Sequence, residues 1–227
     1  MGYSWHWHEL WEYRALFMRG VGLTLALGSL AILLGTQLGC IVVALSKSKR
    51  RTLRFVSSAY TDVFRALPVF VLLGLIYFLS PMALGFRISP FVAACLAFTL
   101  NLAPFAAECI RAGIDAVPRI QYDSARALGL TRFHAIRYIV APQALRHILP
   151  SLLGQYVTTI KLTSLAGVIG VAELWNVSGQ IVARTSLPLE ARIAASMLYV
   201  VFLLPLIWSV AFLERKAGAR GAFGRPA

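Results

Sequence analysis

Long runs without charge divide this chain into segments that match the length of a membrane-spanning helix. An α-helix needs about 20 apolar residues to cross the hydrocarbon core of a bilayer, and lipid favours helices because they satisfy their backbone hydrogen bonds internally. The pattern predicts an all-α integral membrane protein that forms one domain over residues 1–227. Its five predicted transmembrane helices are residues 21–45, 66–86, 88–107, 148–172 and 194–213, and only Lys161 interrupts the fourth.

The basic residues between these runs predict the orientation, because Lys and Arg accumulate on the cytoplasmic side. Residues 47–54 contain five of them, residues 111–147 contain six, and the segment after Leu213 contains four. The opposite side contains five. We therefore predict that the N-terminus lies outside and the C-terminus inside. Residues 111–147 then form a cytoplasmic loop between the third and fourth helices.

The composition supports the membrane interpretation and excludes an ordinary soluble domain. Of the 227 residues, 59% are hydrophobic and 14% are charged, whereas a soluble domain carries about a quarter charged residues. The net charge of +13 is a feature of many nucleic-acid-binding proteins. Here, however, the basic residues lie between apolar runs rather than along one polar face, so we expect no nucleic-acid partner.

Aromatic residues are concentrated in residues 5–13, where they suit the headgroup layer of the outer leaflet. His6 and His8 in this segment allow two interpretations, a metal site or part of an interfacial helix. We favour the interfacial helix, because two histidines without a third ligand do not complete a zinc site. We therefore expect this chain to bind no metal.

The predicted cytoplasmic loop has the pattern of a helix, a tight turn and a second helix. Pro118 precedes a helix over Ile120–Leu128, and Gly129 follows it, where a left-handed C-terminal cap favours glycine. Thr131 is a suitable N-cap for a helix over Arg132–Val140, after which Pro142 and Pro150 mark the return to the bilayer.

The first of these loop helices is too short to be stable alone in water. It therefore needs a partner surface, and the residues leave two open: another protein, or the membrane with arginines on lipid phosphate. The predicted contact patch is apolar and lies beside Asp123 and Arg126; it consists of Ala125, Ala127, Leu128 and Leu130.

The spacing of this loop carries a resemblance. Asp123-Ser124-Ala125, three residues, Gly129, nine residues, Ile139, one residue and then Ala141-Pro142 resembles the Glu-Ala-Ala loop of the permeases of ATP-binding-cassette (ABC) importers. The resemblance implies that the first helix is a coupling helix that docks into a cleft of the ATPase subunit. The residues it implies for this contact are Asp123, Ser124, Ala125, Leu128, Gly129, Ile139 and Pro142. Asp123 stands where the family has Glu.

Further segments resemble the permeases for polar amino acids, which include histidine, glutamine and glutamate/aspartate systems. These segments are Gly22–Leu25, Phe64–Pro68, Glu108–Gly113, Lys161–Leu165 and Ile169–Val171. The resemblance implies a multi-pass protein of the bacterial inner membrane that translocates polar amino acids by alternating access. It also implies an ATPase dimer, a second permease subunit, identical or paralogous, and a periplasmic or extracellular amino-acid-binding protein. Leu162 stands where members often have an acidic residue, so no substrate preference is carried over.

Polar residues within or near the predicted spans are candidates for a substrate pathway, because ionisable groups in a bilayer face protein or water. Lys161 either meets a substrate carboxylate or pairs with Glu108 or with a carbonyl at a helix break. Arg65 either pairs with Asp62, one helical turn away, or serves gating or packing. The candidate pathway residues are Lys161, Thr163, Ser164, Glu108, Asn101 and Arg65.

Two further positions concern helix packing. Pro104 leaves a carbonyl without its usual donor and bends its helix, and Asn101 either satisfies that carbonyl or contacts substrate. Gly35 and Gly39 form a pair of small residues four apart, which indicates close helix packing. The partner helix lies either in the same subunit or across a dimer.

Missing motifs also constrain the function. No phosphate-binding loop of the form G-x-x-x-x-G-K-[ST] is present, and no nucleophile–base or metalloprotease motif occurs. We therefore predict that the chain is not an enzyme, has no catalytic residues and binds no cofactor itself, with ATP and magnesium on the partner ATPase. Alternatives of other classes are an ion-coupled secondary transporter or channel subunit and an intramembrane enzyme.

Overall fold

The computed structural model describes residues 4–217, and every regular element in that range is helical. The helices are α1 (Trp7–Leu10), α2 (Arg14–Ser46), α3 (Arg51–Ala66), α4 (Val69–Leu84), α5 (Pro90–Asp115), α6 (Arg119–Ala127), α7 (Arg132–His134), α8 (Ala141–Leu162), α9 (Leu174–Thr185) and α10 (Pro188–Ala217). Short 3₁₀ segments occupy Trp11–Tyr13 and Thr163–Ile169, and a π-helical segment, Ala135–Val140, joins α7 to α8.

Four stretches of the described chain are long and apolar enough to cross a bilayer, which confirms the all-α membrane fold. They are Trp7–Ser46, Pro90–Asp115, Arg132–Ile169 and Pro188–Leu213. A fifth results if α3 and α4, whose axes differ by 103°, form one bent span. Pro68 explains this bend, because Leu67 before it takes an extended backbone (φ −81°, ψ 121°), as proline requires of the preceding residue.

The tightest packing joins α2 to α5 and places the core of the subunit between them. A Cβ added to Gly35 would lie 2.9 Å from the Leu102 side chain, and one added to Gly39 would lie 2.9 Å from Ala106. Only glycine lets the two helices approach this closely. The partner helix of the glycine pair is therefore α5 of the same subunit, which was one of the two possibilities expected from the sequence.

The helix that contains the fourth expected span, residues 148–172, is longer than that span at its N-terminal end. The helix starts earlier, at Arg132, and runs through the π segment and α8 into the 3₁₀ segment, which ends at Gly170 with φ +91°. Pro142 and Pro150 lie within it instead of marking a return to the bilayer. Pro142 has no N–H for the carbonyl four residues earlier, and the segment just before it is wound with the wider π spacing.

Two helices were not foreseen from the apolar runs. Helix α3 begins inside the basic segment expected to be a loop, and it is amphipathic. The side of this helix that faces the rest of the protein contains Ser57, and the exposed side contains Phe55. Helix α9 has 12 residues, too few to cross a bilayer. A pattern of long apolar runs therefore detects the spans and misses the shorter helices between them.

The N-terminal segment leads into α2 without an intervening loop. Trp5 and Trp7 stack with ring centroids 5.5 Å apart, and both are exposed. The backbone N–H of His6 donates to Glu190 at 3.0 Å, which ties the segment to the start of α10. Within residues 4–217, no group of three potential metal ligands is found.

Candidate functional site

Helix α6 ends in a cap formed by its own backbone. Gly129 has φ +83°, the left-handed conformation that favours glycine. Its N–H donates to the Arg126 carbonyl at 3.1 Å, and the N–H of Leu130 donates to the Ala125 carbonyl at 3.2 Å. This pair of bonds is a Schellman motif, so the expected glycine cap is present.

The second helix of the loop begins as expected at Thr131. Its hydroxyl accepts a hydrogen bond from the backbone N–H of His134 at 3.3 Å, and its carbonyl accepts from Ala135 at 2.9 Å. The Arg126 guanidinium donates to the Leu130 carbonyl across the turn. The two helices are therefore held at a fixed angle by polar contacts in the turn that joins them.

The structure corrects the apolar patch expected on α6. Ala125 is only 4% exposed and faces the π segment, where Ala135 is fully buried, so it packs within the loop. The large apolar side chains that face outward are Ile120 and Leu128, which are 68% and 81% exposed. Asp123, Ser124 and Gly129 are exposed as well, Ile139 is half-buried, and Pro142 is exposed.

Lys161 lies in an open groove of about 520 Å³. Its ammonium has no ion pair or hydrogen bond to any residue in the described range, although the helix does change to 3₁₀ winding two residues later, as expected. Thr163 is fully buried and donates to the Ile160 carbonyl at 2.7 Å, away from the groove. The groove is lined by Lys161, Ser164, Leu165, Val168, Trp175, Ser196, Tyr199 and Leu203.

Arg65 and Glu108 form an ion pair of 2.9 Å between α3 and α5. The expected pairs, Arg65 with Asp62 and Lys161 with Glu108, are both absent, and Asp62 instead accepts a hydrogen bond from Ser58. Asp62 was expected to pair with Arg65 because it lies one helical turn away, but the fold brings the Glu108 carboxylate within 2.9 Å of the Arg65 guanidinium. Neither Arg65 nor Glu108 lines the Lys161 groove.

The carbonyl released by Pro104 is that of Leu100, and Tyr60 satisfies it. The Tyr60 hydroxyl donates to this carbonyl at 2.9 Å. Asn101, expected to fill this role or to contact substrate, is half-buried and does not line the Lys161 groove. Of the six candidate pathway residues, the structure thus brings only Lys161 and Ser164 together in one groove.

Comparison with known proteins assigns the chain to a family. Residues 20–218 match the binding-protein-dependent transport system inner membrane component family. The chain belongs to this family. It is therefore a multi-pass permease component of the bacterial inner membrane, and the family assignment does not favour the secondary transporter or channel considered above.

Two relatives and two solved structures illustrate the similarity of this permease to others. It is 33% identical over 211 residues to the glutamine transport system permease protein GlnP of Escherichia coli (strain K12), covering 92% of this chain and 96% of the relative. It is also 33% identical over 199 residues to the arginine transport system permease protein ArtQ of Bacillus subtilis (strain 168), covering 88% and 91%.

The crystal structure of an amino acid ABC transporter with histidines matches with a TM-score of 0.86 at 33% identity, over 94% of this chain and 100% of the other. An inward-facing methionine ABC transporter matches with a TM-score of 0.72 at 22% identity, over 89% and 96%. The second match concerns the fold alone.

The permease also contains a buried carboxylate that the apolar pattern did not reveal. Glu173 is 0% exposed and caps α9. Its two oxygens accept hydrogen bonds from the backbone N–H groups of Trp175 (2.8 Å) and Asn176 (2.7 Å) and from the Tyr199 hydroxyl (2.9 Å). It thereby fixes α9 against α10 beside the groove. An acidic N-cap after an apolar run was the available signal.

Proposed function

We propose that this permease is the membrane-spanning subunit of an ATP-driven importer of polar amino acids. It moves its substrate by alternating access and receives its energy from a separate ATPase dimer through α6. The observation that carries the proposal is α6 itself: a short helix, rigidly capped, with its large apolar side chains turned away from the rest of the chain.

The coupling role rests on what α6 exposes. A helix of nine residues is unstable in isolation, yet here the Gly129 cap and the packing of Ala125 hold it in place. Ile120 and Leu128 are exposed apolar residues at its two ends, and such side chains gain free energy when a partner buries them. Asp123 between them supplies a charge that a basic residue of the ATPase can meet.

The substrate class rests on the groove and on the relatives. Glutamine and arginine, named for two similar permeases, both carry an α-carboxylate. Lys161 presents an unpaired ammonium next to Ser164 and Ser196, and an ammonium attracts a carboxylate strongly where water is scarce. We infer that Lys161 meets the substrate carboxylate during passage.

The same groove argues for a second permease subunit, identical or paralogous. It is open along one side, so a partner is needed to enclose a pathway through the bilayer. A soluble amino-acid-binding protein delivers the substrate, and ATP with magnesium binds to the ATPase subunits. The permease contributes binding and motion, without an enzymatic step of its own.

Reconstitution of the permease with its ATPase and binding protein tests the proposal. Addition of the loaded binding protein should stimulate ATP hydrolysis and drive uptake of at least one polar amino acid into proteoliposomes without an ion gradient. A cysteine placed at Leu128 in a cysteine-free background should crosslink to the ATPase, whereas one at Met18, an exposed position on α2, should not. Uptake that follows an ion gradient and ignores ATP contradicts the proposal.

Replacement of Lys161 by Met tests the pathway. We expect at least a tenfold lower uptake rate, because the carboxylate loses its counter-charge, while the complex with the ATPase still assembles. Initial rates of radiolabelled uptake measure the change. Lys49→Met, in the basic segment far from the groove in sequence, is the matched control and should transport normally. Equal rates in both variants remove Lys161 from the pathway.

A further inference from the structure

A second cavity continues the Lys161 groove toward the turn between α9 and α10. It has a volume of about 440 Å³ and shares Ser164, Val168 and Trp175 with the first. Its remaining lining is more polar and includes Arg192, Asn176 and Gln180. The two cavities therefore form one continuous groove with a cation in each part.

Arg192 is held in this groove by three contacts. Its guanidinium lies 4.2 Å from the centre of the Trp175 ring, and its Nη1 donates to the Trp175 carbonyl at 3.0 Å and to the Ser178 hydroxyl at 2.8 Å. No carboxylate lies within ion-pair distance of Arg192 among residues 4–217. The charge is thus fixed in position without a direct ion pair, although the buried carboxylate of Glu173 interacts with it electrostatically at longer range.

The opposite edge of the guanidinium stays available to a ligand. A Cβ added to Gly179 would lie 3.3 Å from Nη2, so the absent side chain leaves that edge uncovered. In the described part of the chain, Nη1 is the nitrogen of Arg192 that donates to protein oxygens. The planar fork of an arginine matches a carboxylate, which accepts two parallel hydrogen bonds from it.

Glu173 lies beside the groove but is not among the residues that line it. Glu173 is fully buried, and both of its oxygens already accept hydrogen bonds. Tyr199 lines the part of the groove that contains Lys161. It lies seven residues after Arg192 on α10, which corresponds to about 10 Å along the helix. A small solute in the groove therefore meets two successive cations and no exposed carboxylate among the lining residues.

We propose that Arg192 forms a second carboxylate-binding position next to Lys161, and that the groove accepts amino acids with neutral or acidic side chains while disfavouring basic ones. This inference rests on the proposed function and narrows its substrate class. All amino acids carry an α-carboxylate and an α-ammonium, so the side chain makes the difference. A basic side chain adds a cation that both groove cations repel, whereas the side chain of glutamine adds no charge and that of glutamate adds a carboxylate.

Binding to the purified permease–ATPase complex, without the binding protein, tests the selectivity of the groove. The probes are radiolabelled L-glutamate, L-glutamine and L-arginine, measured by scintillation proximity. We expect glutamate and glutamine to bind at least tenfold more tightly than arginine. Arginine binding that equals or exceeds glutamate binding overturns the inference.

Two variants assign the selectivity to Arg192. Arg192→Met should weaken glutamate binding at least tenfold and reduce the preference over arginine. Arg192→Lys keeps the charge but not the planar fork, so it should restore only part of the binding. Gly179→Val places a side chain against the Nη2 edge, where the Cβ alone would lie 3.3 Å from Nη2, so it should weaken glutamate binding even if the first variant fails to fold. Arg184→Met, an exposed arginine of α9 outside the groove, is the control and should bind like wild type.

Transport assays separate a failure of this inference from a failure of the proposed function. If the complete transporter imports arginine with full ATP coupling and ignores glutamate and glutamine, the function stands and the role of Arg192 is wrong. If no amino acid stimulates ATP hydrolysis or uptake, the proposed function itself is wrong and Arg192 has no transport role. A glutamate preference that survives both Arg192→Met and Gly179→Val also overturns the inference.

Discussion

Single backbone positions determine how the loop between α5 and α8 of this permease is shaped. Gly129 adopts φ +83° and ends α6, while Thr131 starts the next helix two residues later. A residue with a side chain in the left-handed conformation costs about 1–2 kcal/mol, and a β-branched residue costs more because its side chain is stiff. The direction of α6 therefore depends on one glycine.

Gly129→Val should uncouple ATP hydrolysis from transport. The strained cap will shift α6 and displace Leu128 from the contact proposed with the ATPase, so we expect uptake per ATP to fall several-fold. Proteoliposome uptake and phosphate release, measured together, give this ratio. Gly129→Asn is the matched control, because asparagine tolerates the left-handed conformation. Normal coupling in Gly129→Val contradicts the role of α6.

Residues that act through sequence neighbours were predictable, and those that act through the fold were not. The Gly129 cap and the Thr131 cap each depend on residues within about five positions, so the sequence alone indicates them. The ion pair of Arg65 joins residues 43 positions apart, since Glu108 rather than Asp62 is its partner. The packing of α3 on α5 determines which carboxylate lies nearest to Arg65. The local sequence around Arg65 contains no information about this packing.

At the level of elements, α5 is the central helix, and its proline shows how neighbouring helices compensate for one another. Pro104 leaves the Leu100 carbonyl without an intrahelical donor, and Tyr60 of α3 donates to it instead. Helix α3 is thus attached to α5 by a hydrogen bond that exists because α5 contains a proline.

Tyr60→Phe should destabilise the permease by about 1–3 kcal/mol, because the partly buried Leu100 carbonyl loses its partner. Thermal unfolding in detergent measures the loss as a lower Tm. In a Pro104→Ala background the new N–H can bond to Leu100 within the helix, so the same tyrosine change should then cost less. An equal cost in both backgrounds indicates that Tyr60 acts through packing and not through this hydrogen bond.

The elements themselves were predictable to the extent that they are long and apolar. All five apolar runs correspond to helical parts of the structure, because the bilayer imposes a length and a composition. Helix α9 was missed, since 12 residues capped by a buried Glu173 resemble a loop when only long runs are sought. The two parts of the candidate groove lie against this helix, and the sequence pattern therefore located Lys161 but not Trp175 or Arg192.

At the scale of the whole molecule, the orientation in the membrane stays a prediction from charge. Fifteen basic residues lie in the segments assigned to the cytoplasm and five in those assigned to the outside. In a cysteine-free background, a membrane-impermeant maleimide added to intact spheroplasts should label Ser186→Cys and leave Ser48→Cys unlabelled until the membrane is opened. The reverse labelling contradicts the orientation. Ser186 is exposed at the end of α9 and Ser48 is half-buried just after α2, and uptake by each variant controls for folding.

The helical stretch from Arg132 to Ile169 continues from one end to the other through its π and 3₁₀ segments. Lys161 lies 29 residues beyond Arg132, which is about 43 Å at 1.5 Å per residue. A tilt of about ten degrees at the Arg132 end would carry the other end sideways by roughly 7 Å, a distance comparable to the length of an amino acid. Under the proposed mechanism, a movement applied near Arg132 would therefore reach Lys161 along one helical stretch, without a relay of side chains.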